Sequence, residues 1–295
     1  MKVCILSTVH IALDNRVFYR EARSLRSAGY DVTLIAVHPR DEIKDGIEII
    51  GLPRVARWRR PFLWRKVYQL ARETEADIFH FHDPELLFLG AWLKRRSGKP
   101  PARRASPTRG ASPIQGAAVI YDIHEAYPDF IELKDYLPSW LRYPAAGALR
   151  IAEPKLAGLQ SGLIFADEAT AADFAQVNLP KATLFNFPGQ EFVRTAMTTG
   201  ADYAGRPLRV LYLGGMERNR GVELMVEAFA QVTAAVPDAQ LWLVGHFMPP
   251  DLQQVVRQAV IERGLVQAVT ITGRVDFDQI GQYLRQARVG WVPWQ

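Results

Sequence analysis

Three histidines, His10, His82 and His124, stand near acidic residues in stretches that follow short, apolar, β-branched runs. Each run has the composition of a β-strand, so each histidine is predicted to fall just past a strand end. Imidazole exchanges protons near neutral pH and both donates and accepts hydrogen bonds, which suits it to contact a polar ligand. We therefore expect the three rings to converge on one cleft.

Polar neighbours of these histidines are predicted to line the same cleft. They are Asp14, Asn15 and Arg16 in the loop after the first strand, Asp83 beside His82, and Glu125 beside His124. The first loop lacks the G-x-G-x-x-G pattern of dinucleotide-binding folds, which argues against a nicotinamide or flavin enzyme. Asp14 or Asn15 has an alternative role as the N-cap of the helix that follows.

The sequence His80-Phe81-His82-Asp83 places three potential metal ligands close together. Alternation along a strand sends His80 and His82 to the same side, and no third ligand is signalled nearby. We therefore expect no metal at this strand end.

A glycine-rich turn in the second half has the features of a phosphate site. It runs from Gly214 and Gly215 to Arg218 and Arg220, between a predicted strand and a predicted helix. Glycines allow close backbone approach, the helix N-terminus favours an anion, and arginines donate to a diphosphate. The alternative is a solvated surface loop. Two later turns at equivalent strand ends are predicted to wall the same pocket: 244–247, and Gly273, Arg274 and Val275.

The elements that must position these residues alternate short apolar runs with longer stretches of helical period, which is the pattern of parallel sheets with crossover helices. In the first half we predict strands at 2–7, 31–37, 47–51, 77–82, 118–122, 162–166 and 182–185, with helices at 15–28, 61–75, 84–96, 139–159 and 168–176. The second half repeats the pattern with strands at 208–213, 239–244, 268–272 and 288–292, and helices at 221–235, 251–263 and 276–287.

This pattern predicts the α/β class, with two Rossmann-like, doubly wound parallel-sheet domains. The predicted domains are 1–190 and 208–295, joined by a connection at 191–207 that is rich in turn and breaker residues. Residues 98–117 are predicted to be a disordered insertion, because their proline-rich and basic composition cannot bury enough surface to order the chain. A basic tail for a partner is the alternative for this stretch.

Composition sets the broad class. The chain has 295 residues, 48% hydrophobic and 23% charged, which gives ample core for two domains, and its net charge is +5. The one cysteine, Cys4, excludes an intramolecular disulfide and favours a reducing compartment. The first residues reach polar side chains after only a few apolar ones, too few for the apolar region of a signal peptide, and no uninterrupted apolar run approaches about 20 residues. We expect a cytoplasmic protein that touches a membrane at most from the side.

One basic segment, residues 54–72, contains seven basic and no acidic residues, with Trp58, Phe62, Trp64 and Tyr68 interleaved. Basic and aromatic residues together suit an anionic membrane surface. The alternative is a helix that packs on its own sheet and leaves a solvated basic face. No nucleic-acid motif accompanies the segment, so no nucleic-acid partner is expected.

Three stretches together resemble glycosyltransferase family 4, a group of retaining GT-B enzymes that build lipopolysaccharide, capsule and exopolysaccharide. They are 10–25, 79–87 and 121–125, and the order of the glycine turns in the second half matches the donor domain of such enzymes. The resemblance implies the GT-B fold, with two domains facing a cleft. It also implies a nucleoside diphosphate sugar as donor, a lipid-linked or growing glycan as acceptor, and no metal.

Carried over residue by residue, the resemblance makes His124 the catalytic histidine that contacts the donor sugar. Arg220 stands where the family has a basic residue for the diphosphate, above the turn of Gly214 and Gly215. The base would be lined by Gly273, Arg274 and Val275. Two positions depart from the family pattern: Asp14-Asn15-Arg16 replaces paired glycines, and Gly215 replaces an arginine for which Arg218 is the expected substitute.

Family members normally carry two glutamates, separated by seven residues, soon after the position at which this sequence stops. No two glutamates here have that spacing, so we expect a C-terminally truncated product or fragment. Two other functions stay open for such a chain: a non-catalytic nucleotide-binding or interaction subunit, and a GT-B sugar-nucleotide epimerase.

Overall fold

The computed structural model describes residues 1–96, 116–132, 137–197 and 203–293. The chain forms two compact units, Met1–Phe187 and Pro188–Gln295, and each is built on its own sheet. The predicted α/β class with two parallel-sheet units is confirmed. In the described part of the chain, no helix is both long enough and apolar enough to cross a bilayer.

The first unit contains an eight-stranded sheet in the order β3-β4-β2-β1-β5-β6-β7-β8. Its strands are β1 Lys2–Ile11, β2 Asp31–Val37, β3 Glu42–Lys44, β4 Ile47–Leu52, β5 Ile78–Phe81, β6 Ala118–Ile123, β7 Gly162–Phe165 and β8 Lys181–Thr183. All neighbours pair in parallel except β3 and β4. The edge strand β3 was not predicted, because three residues are too few to show a period.

Helical segments cover both faces of this sheet. They are a π-helical turn Val17–Ala22 leading into α1 Arg23–Ser27, a 3-10 segment Arg57–Leu63 leading into α2 Trp64–Glu73, a 3-10 turn Pro84–Leu86 leading into α3 Leu87–Arg96, α4 Tyr127–Glu132, α5 Ser139–Ala157 and α6 Glu168–Asp173. The short helix α4 was also missing from the sequence prediction.

The central strand β1 shows why the sheet is buried on both faces. Cys4 and Leu6 belong to one core cluster, whereas Val3 and Ile5 belong to another. Successive side chains of a strand point to opposite faces, so an uninterrupted apolar run feeds two cores at once. Cys4 is fully buried, as its apolar neighbours indicated.

The second unit has a four-stranded parallel sheet in the order β11-β10-β9-β12. Its strands are β9 Arg209–Leu213, β10 Gln240–Val244, β11 Val269–Gly273 and β12 Val289–Gly290, and its helices are α7 Gln190–Met197, α8 Val222–Ala235, α9 Leu252–Glu262 and α10 Ile280–Gln286. The inward faces of α8 and α9 carry Val222, Met225, Val226, Phe229, Leu252 and Val256, all fully buried.

One prediction about a connection needs correction, and another falls mostly outside the described residues. The stretch predicted as an irregular linker, 191–207, contains most of α7, whose Phe192 packs on Phe277 with ring centroids 5.0 Å apart. Residues 98–115 of the predicted insertion lie outside the described residues, but Ala117 at its end is buried in the core.

Candidate active site

The three histidines come together at the carboxyl edge of the first sheet. Strands β1, β5 and β6 are parallel neighbours, so their carboxyl ends lie side by side. The ring centroids of His82 and His124 are 4.7 Å apart, and that of His10 lies 5.6 Å from His124 and 6.2 Å from His82. His10 lies inside β1 rather than past its end, because pairing with β2 resumes at Ile11 after an irregularity.

A buried ion pair lies beneath this group. Arg16 Nη2 is 2.8 Å from Asp122 Oδ1, and Arg16 Nε is 2.8 Å from Glu21 Oε1. Asp122 also faces His80, with 3.2 Å between Oδ2 and the ring Nε2. Burial alone would raise the pKa of Asp122, but its contacts with His124 and His80 outweigh burial and hold that pKa well below its usual range. Asp122 is therefore a carboxylate.

Glu21 responds in the opposite direction. Burial raises the pKa of Glu21, the charge of Asp122 raises it further, and Arg16 compensates only in part. Two carboxylates that share one arginine do not both ionise easily in a buried place. The buried group therefore pairs one cation, Arg16, with one anion, Asp122, and leaves Glu21 as the neutral acid.

His82 links this group to His124. Its side chain is fully buried, its Nδ1 lies 2.9 Å from His124 Nε2, and its backbone carbonyl accepts from Tyr127 Oη at 3.2 Å. Burial lowers the pKa of His82 well below its usual range, and the charge of His80 lowers it further, so the ring is neutral. The side chain of His124 is 12% exposed, so this ring reaches the surface of the site.

Asp83 ties the end of β5 to the end of β1. Its Oδ2 accepts from the backbone N of Thr8 at 2.7 Å and from Ser7 Oγ at 3.0 Å. The residue is 1% exposed, so its carboxylate is committed to these donors.

His10 lies between two carboxylates, Asp14 Oδ2 at 3.8 Å and Asp83 Oδ1 at 3.9 Å. Burial opposes its charged form, but the hydrogen bond and charge of Asp14 and the charge of Asp83 raise the pKa of His10 above its ordinary value. Burial likewise disfavours the charged form of Asp14, yet its contacts with His10 lower its pKa to about 2. Asp14 Oδ1 also accepts from the backbone N of Arg16 at 2.9 Å and of Val17 at 3.2 Å, which is the capping role considered for it.

The glycine turns of the second unit form one connected edge. Gly214 N donates to Val244 O at 3.0 Å, Met216 N to His246 O at 2.8 Å, and Gly245 N to Gly273 O at 3.0 Å. A Cβ added to Gly245 would lie 1.8 Å from Gly214 O, so only glycine permits this approach. The turns after β9, β10 and β11 therefore hold one another in place.

The approach to α8 places the two predicted arginines. Arg218–Arg220 form a 3-10 turn, and Gly221 adopts a left-handed φ of 62° immediately before the helix. Arg218 pairs with Glu223 at 3.0 Å. Tyr212 Oη donates to Gly215 O at 2.6 Å, which fixes the turn that precedes Arg220.

Comparison with known proteins gives the family. A family model described as Glycosyltransferase Family 4 matches residues 15–184, and a model described as Glycosyl transferases group 1 matches residues 207–295. The chain belongs to glycosyltransferase family 4. Among curated proteins, none matches this sequence.

Solved structures show the fold of this glycosyltransferase. It is similar to sucrose-phosphate synthase from Thermosynechococcus elongatus, with a TM-score of 0.66 and 15% identity over 100% of this chain and 77% of that one. It is also similar to the α,α-trehalose-phosphate synthase (UDP-forming) from Burkholderia vietnamiensis, with a TM-score of 0.62 and 12% identity over 99% and 76%. The Anabaena protein HepE in complex with UDP-glucose gives 0.57 and 16% over 96% and 71%. At these identities the likeness establishes the GT-B fold alone.

The glycosyltransferase does not present all its predicted cleft residues to a ligand. Arg16, His82 and Asp83 are buried, whereas Asn15 and Glu125 are exposed. In the second unit, Gly273 has a left-handed φ of 73°, Arg274 is exposed, and Val275 packs beside Leu211 and Val244.

Glu21 and Asp122 were not selected from the sequence, although they complete the buried group of the glycosyltransferase. Weak signals exist for both. Glu21 follows Arg16 by five residues in a helical stretch, and Asp122 precedes His124 by two at a strand end.

Four side chains of the glycosyltransferase lie close enough together to be considered as ligands of one metal ion. Glu21, His80, His82 and Asp122 each offer one ligand atom, and these atoms lie within 4.8 Å of one another. The sequence prediction found no third ligand because Glu21 and Asp122 come from other elements. Arg16 already bonds both carboxylates, so a divalent ion would add positive charge beside a buried cation. We assign no metal to this set.

Proposed function

We propose that this glycosyltransferase moves a sugar from a nucleoside diphosphate sugar to a hydroxyl with retention at the anomeric carbon. The observation that carries the proposal is His124, a partly exposed ring held from beneath by His82 and Asp122. A group fixed by its neighbours loses little freedom when it meets the transition state, so it can orient a sugar at low entropic cost. His124 is also the position that the family resemblance makes catalytic.

The donor is proposed to bind at the glycine turns of the second unit. Gly214 and Gly215 would admit the diphosphate to backbone N–H groups, with Arg218 and Arg220 as charged donors at the start of α8. Gly273, Arg274 and Val275 would line the base. UDP-sugars are the first candidates, because two similar solved structures hold UDP-glucose and UDP-2-fluoro glucose.

We propose that the reaction needs neither a protein nucleophile nor a metal. The acceptor oxygen would bond to the anomeric carbon, the bond from that carbon to the phosphate oxygen would break, and the acceptor proton would pass to that phosphate. The protein would contribute orientation and charge stabilisation. Asp83 is unsuited to act as general base because it is buried and its Oδ2 already accepts from Ser7 and Thr8.

The proposed acceptor is a lipid-linked or growing cell-surface glycan, such as a lipopolysaccharide precursor, at the inner face of the membrane. The basic segment supports this in its first part. Trp58 and Phe62 are 67% and 78% exposed, and Arg59 lies 4.6 Å from the Trp58 ring centroid. Helix α2 instead packs through Val67 and Ala71, so its own contribution would be the solvated basic face.

The test of transfer is a product assay with a panel of UDP- and GDP-sugars and glycan acceptors, read by mass spectrometry, with the anomeric configuration read by NMR. We expect a retained glycoside, lost in His124→Ala and kept in His38→Ala, whose ring pairs with Glu42 at the sheet edge. Nucleotide binding without any product would favour the non-catalytic subunit. An altered nucleotide sugar without transfer would favour the epimerase.

The membrane proposal is tested by sedimentation with vesicles that contain anionic lipid. Replacement of Arg57, Arg59, Arg65 and Lys66 by Gln should abolish the association, because each basic residue near such a surface contributes roughly 1 kcal/mol. The control replaces Arg257 and Arg263, which are exposed in the second unit. Equal sedimentation of the two variants at low salt would leave the segment with a packing role only.

A further inference from the structure

Two buried polar atoms of the first unit face each other without a completed hydrogen bond. Glu21 Oε2 and His82 Nε2 are 3.3 Å apart, both are inaccessible to solvent, and neither has a hydrogen-bond partner. Buried polar atoms are nearly always paired, so a pair left open at this distance needs an explanation. One proton shared between these two atoms would satisfy both.

The position of that proton decides the state of the next ring. A neutral imidazole carries its single proton on one of its two nitrogens. If Glu21 is the acid, it donates to His82 Nε2, and His82 Nδ1–H then donates to His124 Nε2. His124 must in that case carry its own proton on Nδ1, the ring nitrogen that His82 does not use.

The opposite arrangement follows when Glu21 loses its proton. His82 Nε2–H then donates to the carboxylate, and His82 Nδ1 accepts from His124 Nε2–H. His124 Nδ1 becomes a bare acceptor, and the three side chains together hold one proton fewer. The loss of a proton from Glu21 therefore changes the state of His124 Nδ1, to which Glu21 is linked only through His82.

We propose that Glu21 is a positioning residue that sets, through His82, which ring nitrogen of His124 carries the proton. His124 then offers its ligand a donor when Glu21 is the acid and an acceptor when Glu21 is ionised. This inference rests on the proposed function in taking His124 as the ring that meets the donor sugar.

The charges around the three residues favour the acid form of Glu21. Burial and the Asp122 carboxylate both disfavour a second negative charge, and Arg16 is shared with Asp122. His80 Nε2 lies 3.9 Å from Glu21 Oε2 but is closer to Asp122.

His124 faces Asp122 Oδ1 at 3.5 Å, and His10 lies beside it with Asp14 and Asp83 behind. Asp122 by itself would favour a proton on His124 Nε2. Arg16 and His80 already donate to Asp122 at shorter distances, which leaves His82 as the nearest partner of that nitrogen.

The experiment is nitrogen NMR of the histidine rings in the 295-residue chain labelled with ¹⁵N-histidine, across a pH series. The variants are Glu21→Gln, whose amide keeps an oxygen for Arg16 and a permanent N–H for His82, and Glu42→Gln as the control. Glu42 also pairs with a histidine, His38, with 3.1 Å between Oε1 and the ring Nε2. The backbone spectrum of each variant reports whether it is folded.

We expect His124 to carry its proton on Nδ1 at neutral pH and to exchange it for one on Nε2 as the pH rises through the titration of Glu21. That exchange should disappear in Glu21→Gln and persist in Glu42→Gln. In transfer assays, the fall of kcat on the alkaline side should likewise be lost in Glu21→Gln, with KM for the acceptor unchanged.

A His124 ring proton that occupies the same nitrogen across the pH series in the parent and in Glu21→Gln would overturn the inference. So would a proton found on His124 Nε2 at neutral pH. The ring measurement is independent of sugar transfer, so full activity of His124→Ala would contradict the proposed function and leave the proton arrangement standing.

Discussion

The two units place their candidate sites at the same topological position but build them from different parts of the chain. At the carboxyl edge of the first sheet, the candidate site is built from side chains. Arg16, Asp122 and the clustered histidines meet there in a buried, hydrogen-bonded group. At the carboxyl edge of the second sheet, the candidate site is built from backbone groups, because three glycine turns are joined by N–H to C=O hydrogen bonds.

This difference predicts which kind of substitution disturbs each site. A buried group of charges responds to a lost partner or a moved proton, because the charge that remains is no longer compensated. A backbone edge responds to an added Cβ or a lost donor, because its shape depends on close approach. Each construction suits the proposed role of its unit. The first unit would position a ring at the reacting sugar, and the second would bind the diphosphate.

The largest expected effect is on the first unit. Asp122→Ala leaves Arg16 and His80 without their buried partner, and breaking such a pair typically costs about 3–5 kcal/mol. Hydrogen exchange should show lost protection in the described residues of Met1–Phe187, while 203–293 keep theirs. Asp129→Ala is the control, because its pair with Arg150 is exposed. Equal loss in both units would break the comparison, since it would mean that the buried group stabilises the whole chain.

The next effect is on the second unit. Arg220→Ala removes a charged donor from the turn before α8, and a hydrogen bond to a charged group is worth about 1.5–3 kcal/mol. UDP affinity, measured by calorimetry, should fall roughly tenfold to a hundredfold. Arg263→Ala, beyond the end of α9 at the opposite edge of the sheet, should bind UDP as the parent does. If Arg220→Ala binds UDP as tightly as the parent, the proposal that the donor binds at this turn is wrong.

Gly245→Ala probes the backbone edge without touching a charge. The new Cβ would meet Gly214 O at 1.8 Å, and the φ of 145° at Gly245 is a conformation that costs other residues about 1–3 kcal/mol. We expect weaker UDP binding with the first unit's hydrogen exchange unaltered. The matched control is Gly147→Ala, where a Cβ meets nothing within 4 Å. If the two variants bind UDP equally, the close approach of the turns is not needed for the site.

The smallest effect is a pH dependence confined to the first unit. Glu153 accepts from Tyr121 Oη at 2.7 Å, and burial raises its pKa from 4.5 to about 7. The folded state therefore holds a proton that the unfolded state releases, so its stability falls as the pH rises from 4.5 through 7. Denaturation at several pH values should show this slope, and Glu153→Gln should flatten it. A slope unchanged in that variant would assign the dependence to another group.

Sequence periodicity was enough for the strands and helices that are long, and it failed where an element is short or depends on a neighbour. Helix α7 escaped prediction because glycine and proline surround it, and its Phe192 finds Phe277 only in the fold. His10 was placed past a strand end because the irregularity in β1 has no sequence signal.

The sequence by itself determined the α/β class, the two parallel-sheet units, the glycine turns and the family, because periodicity and local motifs are short-range properties. Only the tertiary structure decided which side chains meet. Arg16, His80 and Asp122 are far apart in the chain and become neighbours because β1, β5 and β6 are adjacent in the sheet. Strand order is a long-range choice made by packing, so the burial of His82 and the pairing of Arg16 with Asp122 could not be read from local sequence.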